Sequence, residues 1–271
     1  MENASNAGAG AANTDASSTS SNLKRKRSST PDINTPHKSK KVDGGTSARI
    51  SPPPFDTKPF LVKNLPGAEV YYIHNFISDQ LASNWHKELD ELDTWYHPTL
   101  KFYGKTVAQS RSIAAYASSD TVTAKYSGHQ VDMHYADDVP QILQTIWDHV
   151  MKQINLEFNH VMLNNYANGT EYIGRHRDTK ENGVIASLSL GAVRTFVMTP
   201  NRNSTNMDAI TQKWPLANGS LLIMMGATQD NWKHEIPKEP KVKDGRISLT
   251  FRQMPDATII GGKRSRRKGG A

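Results

Sequence analysis

The sequence predicts an α+β, mostly β chain: a double-stranded β-helix (jelly roll) core with N-terminal helices packed on it. Two stretches, near 79–92 and 140–154, carry apolar side chains three to four residues apart, the period of one buried helix face. Beyond them the period falls to two, in short alternating or β-branched segments divided by Gly, Asn or Pro. Helices first and many antiparallel strands afterwards suit two facing sheets.

Residues 1–57 are rich in Ser, Thr, Ala, Asn and Pro and show no apolar period, so they read as a disordered basic tail. The folded part is expected over 58–256. Glu69–Phe76 reads as a strand, and Ser78 as the N-cap of a helix whose buried face is Leu81, Trp85, Leu89 and Leu92. Pro140 suits the first turn of a second helix with the stripe Ile142, Leu143, Ile146, Trp147, Val150 and Ile154. Strands are expected at 160–166, 184–190, 193–199, 219–225 and 246–252. Residues 257–271 form a second flexible basic tail, with Lys263 to Lys268 at its centre.

The net charge of +7 is not spread evenly. The two ends carry the excess of Lys and Arg, and residues 59–262 are slightly acidic, so the charge speaks for tethering to a polyanion or for import rather than for the core. Lys24-Arg25-Lys26-Arg27 and Lys38-Ser39-Lys40-Lys41 have the spacing of a bipartite nuclear localisation signal. A nuclear location and an import receptor binding residues 24–41 are expected. No stretch reaches eighteen apolar residues, so no membrane span is expected. The absence of cysteine excludes disulfides, thiolate metal sites and cysteine nucleophiles. A metal here must be held by His, Asp or Glu.

His176-Arg177-Asp178 followed by His234 fits that restriction. Residues two apart on an extended segment project to one side, so the H-x-D pair offers an imidazole and a carboxylate to one ion. A third ligand from a distant strand gives two histidines and a carboxylate on one face of an octahedron, leaving open positions as in non-haem Fe(II) oxygenases. The same residue types also suit a zinc hydrolase, or a surface histidine beside a solvated aspartate.

The last strand narrows the choice. Arg246, Ser248, Thr250 and Arg252 alternate with Ile247, Leu249 and Phe251, so two arginines and two hydroxyls share one face. Burying that face without an anion is costly, and a dicarboxylate answers it because a guanidinium forks onto a carboxylate. Asn164 and Tyr166 add a second i, i+2 pair just before the metal pair.

Asn164-Asn165-Tyr166, His176-Arg177-Asp178, Trp232-Lys233-His234 and Arg246 to Arg252 together resemble the AlkB dioxygenases, most closely the nuclear homologues two and three. Tyr172-Ile173-Gly174, Ile185 to Gly191 and Asn218 to Leu222 match between them, and the likeness runs from about residue 100 to 254. The resemblance implies Fe(II) held by His176, Asp178 and His234. It implies 2-oxoglutarate held by Asn164, Tyr166, Arg246, Ser248, Thr250 and Arg252, with Arg252 on the distal carboxylate and O2 as second cosubstrate. The implied reaction hydroxylates an N-methyl group while 2-oxoglutarate is decarboxylated to succinate; formaldehyde then leaves the base.

The resemblance also implies a nucleotide-recognition lid at about 98–130 beside a core at about 139–254. Phe102, Tyr103 and Gly104 form a hairpin tip able to wedge into a base stack. Arg111 and Ala114-Ala115-Tyr116 belong to the substrate side, and Tyr126 with Ser127 stacks on a flipped base. Homologues two and three carry acids directly after the metal aspartate; here Thr179 and Lys180 follow, and Glu181 is the nearest acid for reading the base. The expected partner is DNA with alkylated bases of the 1-methyladenine and 3-methylcytosine type, acted on by a monomer. The alternatives are an RNA demethylase and a catalytically silent nucleic-acid-binding protein.

Overall fold

Ser78 opens the first helix as its sequence requires: the hydroxyl accepts from the Leu81 amide at 3.3 Å and caps α1 (Asp79–Asp90). The computed structural model describes residues 57–102, 105–122, 125–126, 129–179, 182–201 and 208–254. Among these, Ala82, Trp85 and Leu89 of α1 are buried, with Leu81 and Leu92 packed at the margin. The second helix, α2 (Gln141–Ile154), begins after Pro140 and ends at Asn155, whose left-handed backbone (φ 50°) turns the chain. Leu143, Ile146, Trp147, Val150 and Ile154 form its buried face.

Both helices lie on one face of a seven-stranded sheet. In chain order its strands are β1 (Glu69–Ile73), β4 (Ser112–Ala117), β7 (Met133–Tyr135), β8 (His160–Tyr166), β10 (Ile185–Gly191), β13 (Ser220–Met225) and β15 (Arg246–Arg252). Their spatial order is β1-β13-β10-β15-β8-β4-β7, antiparallel except for β4 with β7. Four more strands form a second sheet in the order β12 (Gln212–Leu216), β11 (Arg194–Pro200), β14 (Trp232–Ile236), β9 (Ile173–His176). Two hairpins complete the strand set, β2 (Thr99–Phe102) with β3 (Lys105–Ala108) and β5 (Lys125–Tyr126) with β6 (His129–Gln130). A single helical turn, α3 (Thr228–Asn231), precedes β14.

Alternation decides which residues meet. The odd-numbered apolar residues of β15, Ile247, Leu249 and Phe251, join the helices in one cluster with Ala186, Leu188, Leu190, Leu221 and Ile223. The opposite face of the large sheet contributes Tyr166, Ile185, Leu222 and Met224 to a second cluster, where the small sheet adds Phe196, Met198, Leu216, Trp232 and Ile236. Two sheets closed face to face around that second cluster make the expected jelly roll.

A polar clamp closes one end. Arg194, 1% exposed, donates through Nε to Glu239 Oε2 at 2.9 Å and to the carbonyls of Asn168, Glu171 and Pro237. Glu239 in turn accepts from the Thr195 amide and hydroxyl. Gly169 is required where the two loops cross, since a Cβ there would lie 1.9 Å from the Glu239 carbonyl oxygen.

Ala114, Ala115 and Tyr116, which the resemblance assigns to the substrate side, lie in β4, fully buried between β8 and β7. A strand covered on both faces carries an unbroken apolar run in place of an alternation.

Candidate metal and cosubstrate site

The small sheet brings the three proposed metal ligands together. His176 ends β9, His234 lies in the middle of β14, and the two strands pair them directly. Asp178 follows two residues after His176. The ligating atoms of the three lie within 4.8 Å of one another, a group able to hold one ion. The imidazole rings sit 4.4 Å apart between centroids, and His234 Nε2 is 3.5 Å from Asp178 Oδ2.

Surrounding groups fix each ligand. His176 Nδ1 lies 2.8 Å from the Gly174 carbonyl, which places the proton on Nδ1 and leaves Nε2 for a metal. His234 stacks on Phe196, ring centroids 5.4 Å apart. The Asp178 amide donates to Gln229 Oε1 at 3.0 Å, and Arg252 Nη2 donates to Asp178 Oδ1 at 2.8 Å. Gln229 was not legible in the sequence, because an amide on a single helical turn has no periodic signature.

Electrostatics agree with an unprotonated ligand set. Burial alone raises the Asp178 carboxyl, but Arg252, then His234 and His176, outweigh it and hold the group well below the usual carboxylate range. Burial lowers His234 to about 3, with His176 adding to the effect. Burial likewise lowers His176, against the pull of Asp178. Both rings are therefore neutral at physiological pH, the form that binds metal.

These shifts carry a pH dependence. His234 and His160 each fall to about 3 in the folded chain, so below pH 6.5 the unfolded state binds the extra protons and stability falls with pH. The unfolding free energy of the metal-free protein drops by about 2 kcal/mol per ring between pH 7.5 and pH 5. Asp178 is silent in this window, since its contribution is lost only below the ordinary carboxylate pKa of about 3.9. Urea titrations at the two pH values measure the drop; equal unfolding free energies would mean that the rings take up protons without unfolding.

Beside the triad opens a cavity lined by Asn164, Tyr166, Arg246, Ser248, Thr250 and Arg252, with Met162, Ser187, Leu222 and Met224. All six residues named for 2-oxoglutarate from the sequence are in this lining. The cross-strand pairs Asn164↔Ser248 and Tyr166↔Arg246 bring the two polar rows of β8 and β15 side by side. Arg246 is 2% exposed, donates through Nη2 to Ser189 Oγ at 2.9 Å and stacks on Tyr166 at 5.3 Å. Its Nε and Nη1 have no partner. Arg194 lies over the same Tyr166 ring at 5.5 Å. Ser187 and Ser189 were missed, although Ile185-Ala186-Ser187-Leu188-Ser189 shows the same alternation as β15.

Two contacts differ from those expected. Arg252, expected on the distal carboxylate, donates to Asp178, one of the three candidate metal ligands, while Arg246 keeps Nε and Nη1 without a hydrogen-bond partner. Arg111, expected on substrate, is 2% exposed and donates through Nε to Asn164 Oδ1 at 2.7 Å and through Nη1 to Gln109 Oε1 at 2.5 Å. It braces Asn164, leaving Nδ2 as the donor of that amide. Tyr103, Gly104, Ser127, Glu181 and the side chains of Phe102 and Tyr126 lie outside the described residues, though the backbone pairing of β2 with β3 forms the expected hairpin. Among the described residues no helix is long and apolar enough to cross a membrane.

Residues 69–252 match the family model described as the 2OG-Fe(II) oxygenase superfamily. The chain is 31% identical over 209 residues to the DNA oxidative demethylase ALKBH2 of Arabidopsis thaliana, covering 69% of this chain and 66% of that protein. It is 32% identical over 184 residues to the human protein of the same name, covering 65% and 69%. The human alpha-ketoglutarate-dependent dioxygenase alkB homolog 3 is 37% identical over 124 residues, covering 42% and 43%.

Proposed function

The chain belongs to the 2OG-Fe(II) oxygenase superfamily, within it to the AlkB group, and we propose that it removes alkyl groups from N-alkylated bases in DNA. One observation carries the reading most directly. A His-Asp-His cluster with neutral rings opens onto a cavity in which a buried arginine has donors without partners. The residues suit the family's cofactors. Two imidazoles and a carboxylate form the facial set for Fe(II), and the Arg246 fork suits the distal carboxylate of 2-oxoglutarate.

The iron, with O2 and 2-oxoglutarate, supplies the oxidation of an N-methyl carbon. The protein supplies position. Gln229 and Arg252 hold Asp178 from its amide and from Oδ1, leaving Oδ2 for the metal. Arg111 fixes Asn164, and the Tyr166 ring, with the Arg194 and Arg246 guanidinium groups over it, forms a wall of the cosubstrate cavity. Arg246, Ser248 and Thr250 line that cavity along one strand. None of these residues has to act as a nucleophile, which agrees with a chain that has no cysteine.

The relatives named as DNA oxidative demethylases support DNA as the substrate. A methyl group on a Watson–Crick nitrogen must be reached by flipping the base or by acting on a single strand. Purified protein given Fe(II), 2-oxoglutarate and ascorbate is expected to convert 3-methylcytosine and 1-methyladenine in DNA oligonucleotides, read by mass spectrometry. Turnover confined to matched RNA substrates would move the proposal to RNA. Succinate formation with every oligonucleotide unchanged would remove nucleic acid as the substrate. A nuclear location is part of the reading, through the basic runs at 24–41, which lie outside the described residues. Loss of nuclear accumulation on replacing Lys24 to Arg27 by alanine tests it, and unchanged accumulation would reject that signal.

A further inference from the structure

Gln109 is a half-buried side chain that neither the metal nor the cosubstrate reading uses. It stands between β3 and β4, where its backbone amide donates to the Pro98 carbonyl at 2.9 Å and closes the base of the β2–β3 hairpin. Beside it, the Ser110 hydroxyl meets the Tyr172 backbone twice, 3.2 Å from the carbonyl oxygen and 3.2 Å from the amide nitrogen. The segment is tied down on both sides, so the Gln109 side chain leaves it from a fixed point.

One end of that side chain is engaged. Oε1 accepts from Arg111 Nη1 at 2.5 Å, while Nε2 is shielded from solvent and has no hydrogen-bond partner among the described residues. An unmet buried donor is destabilising, and a leucine would avoid it. What the glutamine contributes is therefore its carbonyl. Arg111 is itself 2% exposed and donates through Nε to Asn164 Oδ1 at 2.7 Å. The two contacts use different nitrogens of one planar, rigid guanidinium, so the Gln109 carbonyl and the Asn164 amide are held to a common frame. Asn164 lines the cosubstrate cavity. Its amide offers donors from Nδ2 or an acceptor from Oδ1, and only the donors suit an anionic ligand.

We infer that Gln109 is a positioning residue for the cosubstrate: through Arg111 it keeps Asn164 turned with Oδ1 on the guanidinium and Nδ2 free to donate to 2-oxoglutarate. The inference rests on the cosubstrate reading of the cavity. It concerns orientation, since Gln109 stands behind the lining residue Asn164 with Arg111 between them. Without the Gln109 carbonyl the guanidinium loses one of the contacts that set its plane, and the Asn164 amide is freer to flip.

The test titrates 2-oxoglutarate calorimetrically into the Mn(II)-loaded full chain. It compares the parent with Gln109→Leu, Gln109→Glu, Asn164→Ala and the Gln109→Leu/Asn164→Ala double variant. Gln109→Leu is expected to weaken 2-oxoglutarate binding about fivefold at unchanged Mn(II) affinity. Gln109→Glu keeps an acceptor and binds within about twofold of the parent. In the Asn164→Ala background the leucine change has no further effect, because the residue through which it acts is gone. Parent-like binding by Gln109→Leu would overturn the inference. The same fivefold loss in the Asn164→Ala background would also overturn it, by placing the effect elsewhere, as would a parallel loss of Mn(II) affinity. Should the Leu variant fail to fold, Gln109→Met answers the same question. Parent protein that binds Mn(II) but no 2-oxoglutarate would remove the cosubstrate reading itself, and this inference with it.

Discussion

Replacing Arg246 by methionine is expected to stabilise the ligand-free protein and to weaken 2-oxoglutarate binding about a hundredfold. Arg246 is a buried cation whose Nη2 reaches the Ser189 hydroxyl, whose guanidinium lies against Tyr166, and whose Nε and Nη1 have no hydrogen-bond partner. Burial already lowers its pKa from the ordinary arginine value, the sign of a charge held against its preference. Methionine keeps the unbranched apolar stem without the charge, so the ligand-free fold gains about 1–2 kcal/mol. The cosubstrate loses a forked, charge-assisted pair that contributes about 3 kcal/mol, a hundredfold in affinity. Thermal unfolding with Mn(II) present separates the two effects. Added 2-oxoglutarate at a hundred times its Kd stabilises the parent by about 2.7 kcal/mol and, at the same concentration, leaves the variant almost unmoved. Equal stabilisation of both would return the distal carboxylate to Arg252.

How far the sequence led depends on whether a period or a long-range contact was the signal. β8 and β15 were expected at 160–166 and 246–252 and are found there, because strict alternation marks both faces of a strand at once. The helices were legible through Ser78 and through apolar stripes whose members are buried or packed at the margin. β4 was misplaced, since Ser112–Ala117 is buried on both faces and shows no alternation. β12 was not expected at all: Gln212–Leu216 carries a proline and two polar residues on the outer edge of the small sheet. Within the site, residue types marked the triad and the arginine row. Which arginine serves which carboxylate was not legible, because the Arg252–Asp178 contact spans 74 residues and depends on how the two sheets close. The same limit hid Gln229 and the bracing role of Arg111, each of which acts through a neighbour distant in sequence.

Asp178→Ala is expected to abolish turnover, to weaken Mn(II) binding by at least about a hundredfold, and also to destabilise the metal-free fold. The first two effects follow from removing a ligand, since two imidazoles alone do not make the facial set. The third follows from Arg252. Its side chain is 12% exposed and that of Asp178 10%, so the pair is largely shielded from solvent. Deleting the carboxylate leaves the guanidinium uncompensated beside two neutral rings, a loss of about 3 kcal/mol. Arg252→Met in the same background removes the stranded charge and restores most of that stability, while metal binding stays lost. The double-mutant cycle therefore divides the two roles of Asp178: its stability coupling belongs to Arg252, and its metal affinity to His176 and His234. Denaturant unfolding of the four metal-free proteins, followed by Mn(II) calorimetry on each, reads both. Additive stability changes would show that the 2.8 Å contact contributes nothing to the fold, and undiminished Mn(II) binding by Asp178→Ala would place the metal elsewhere.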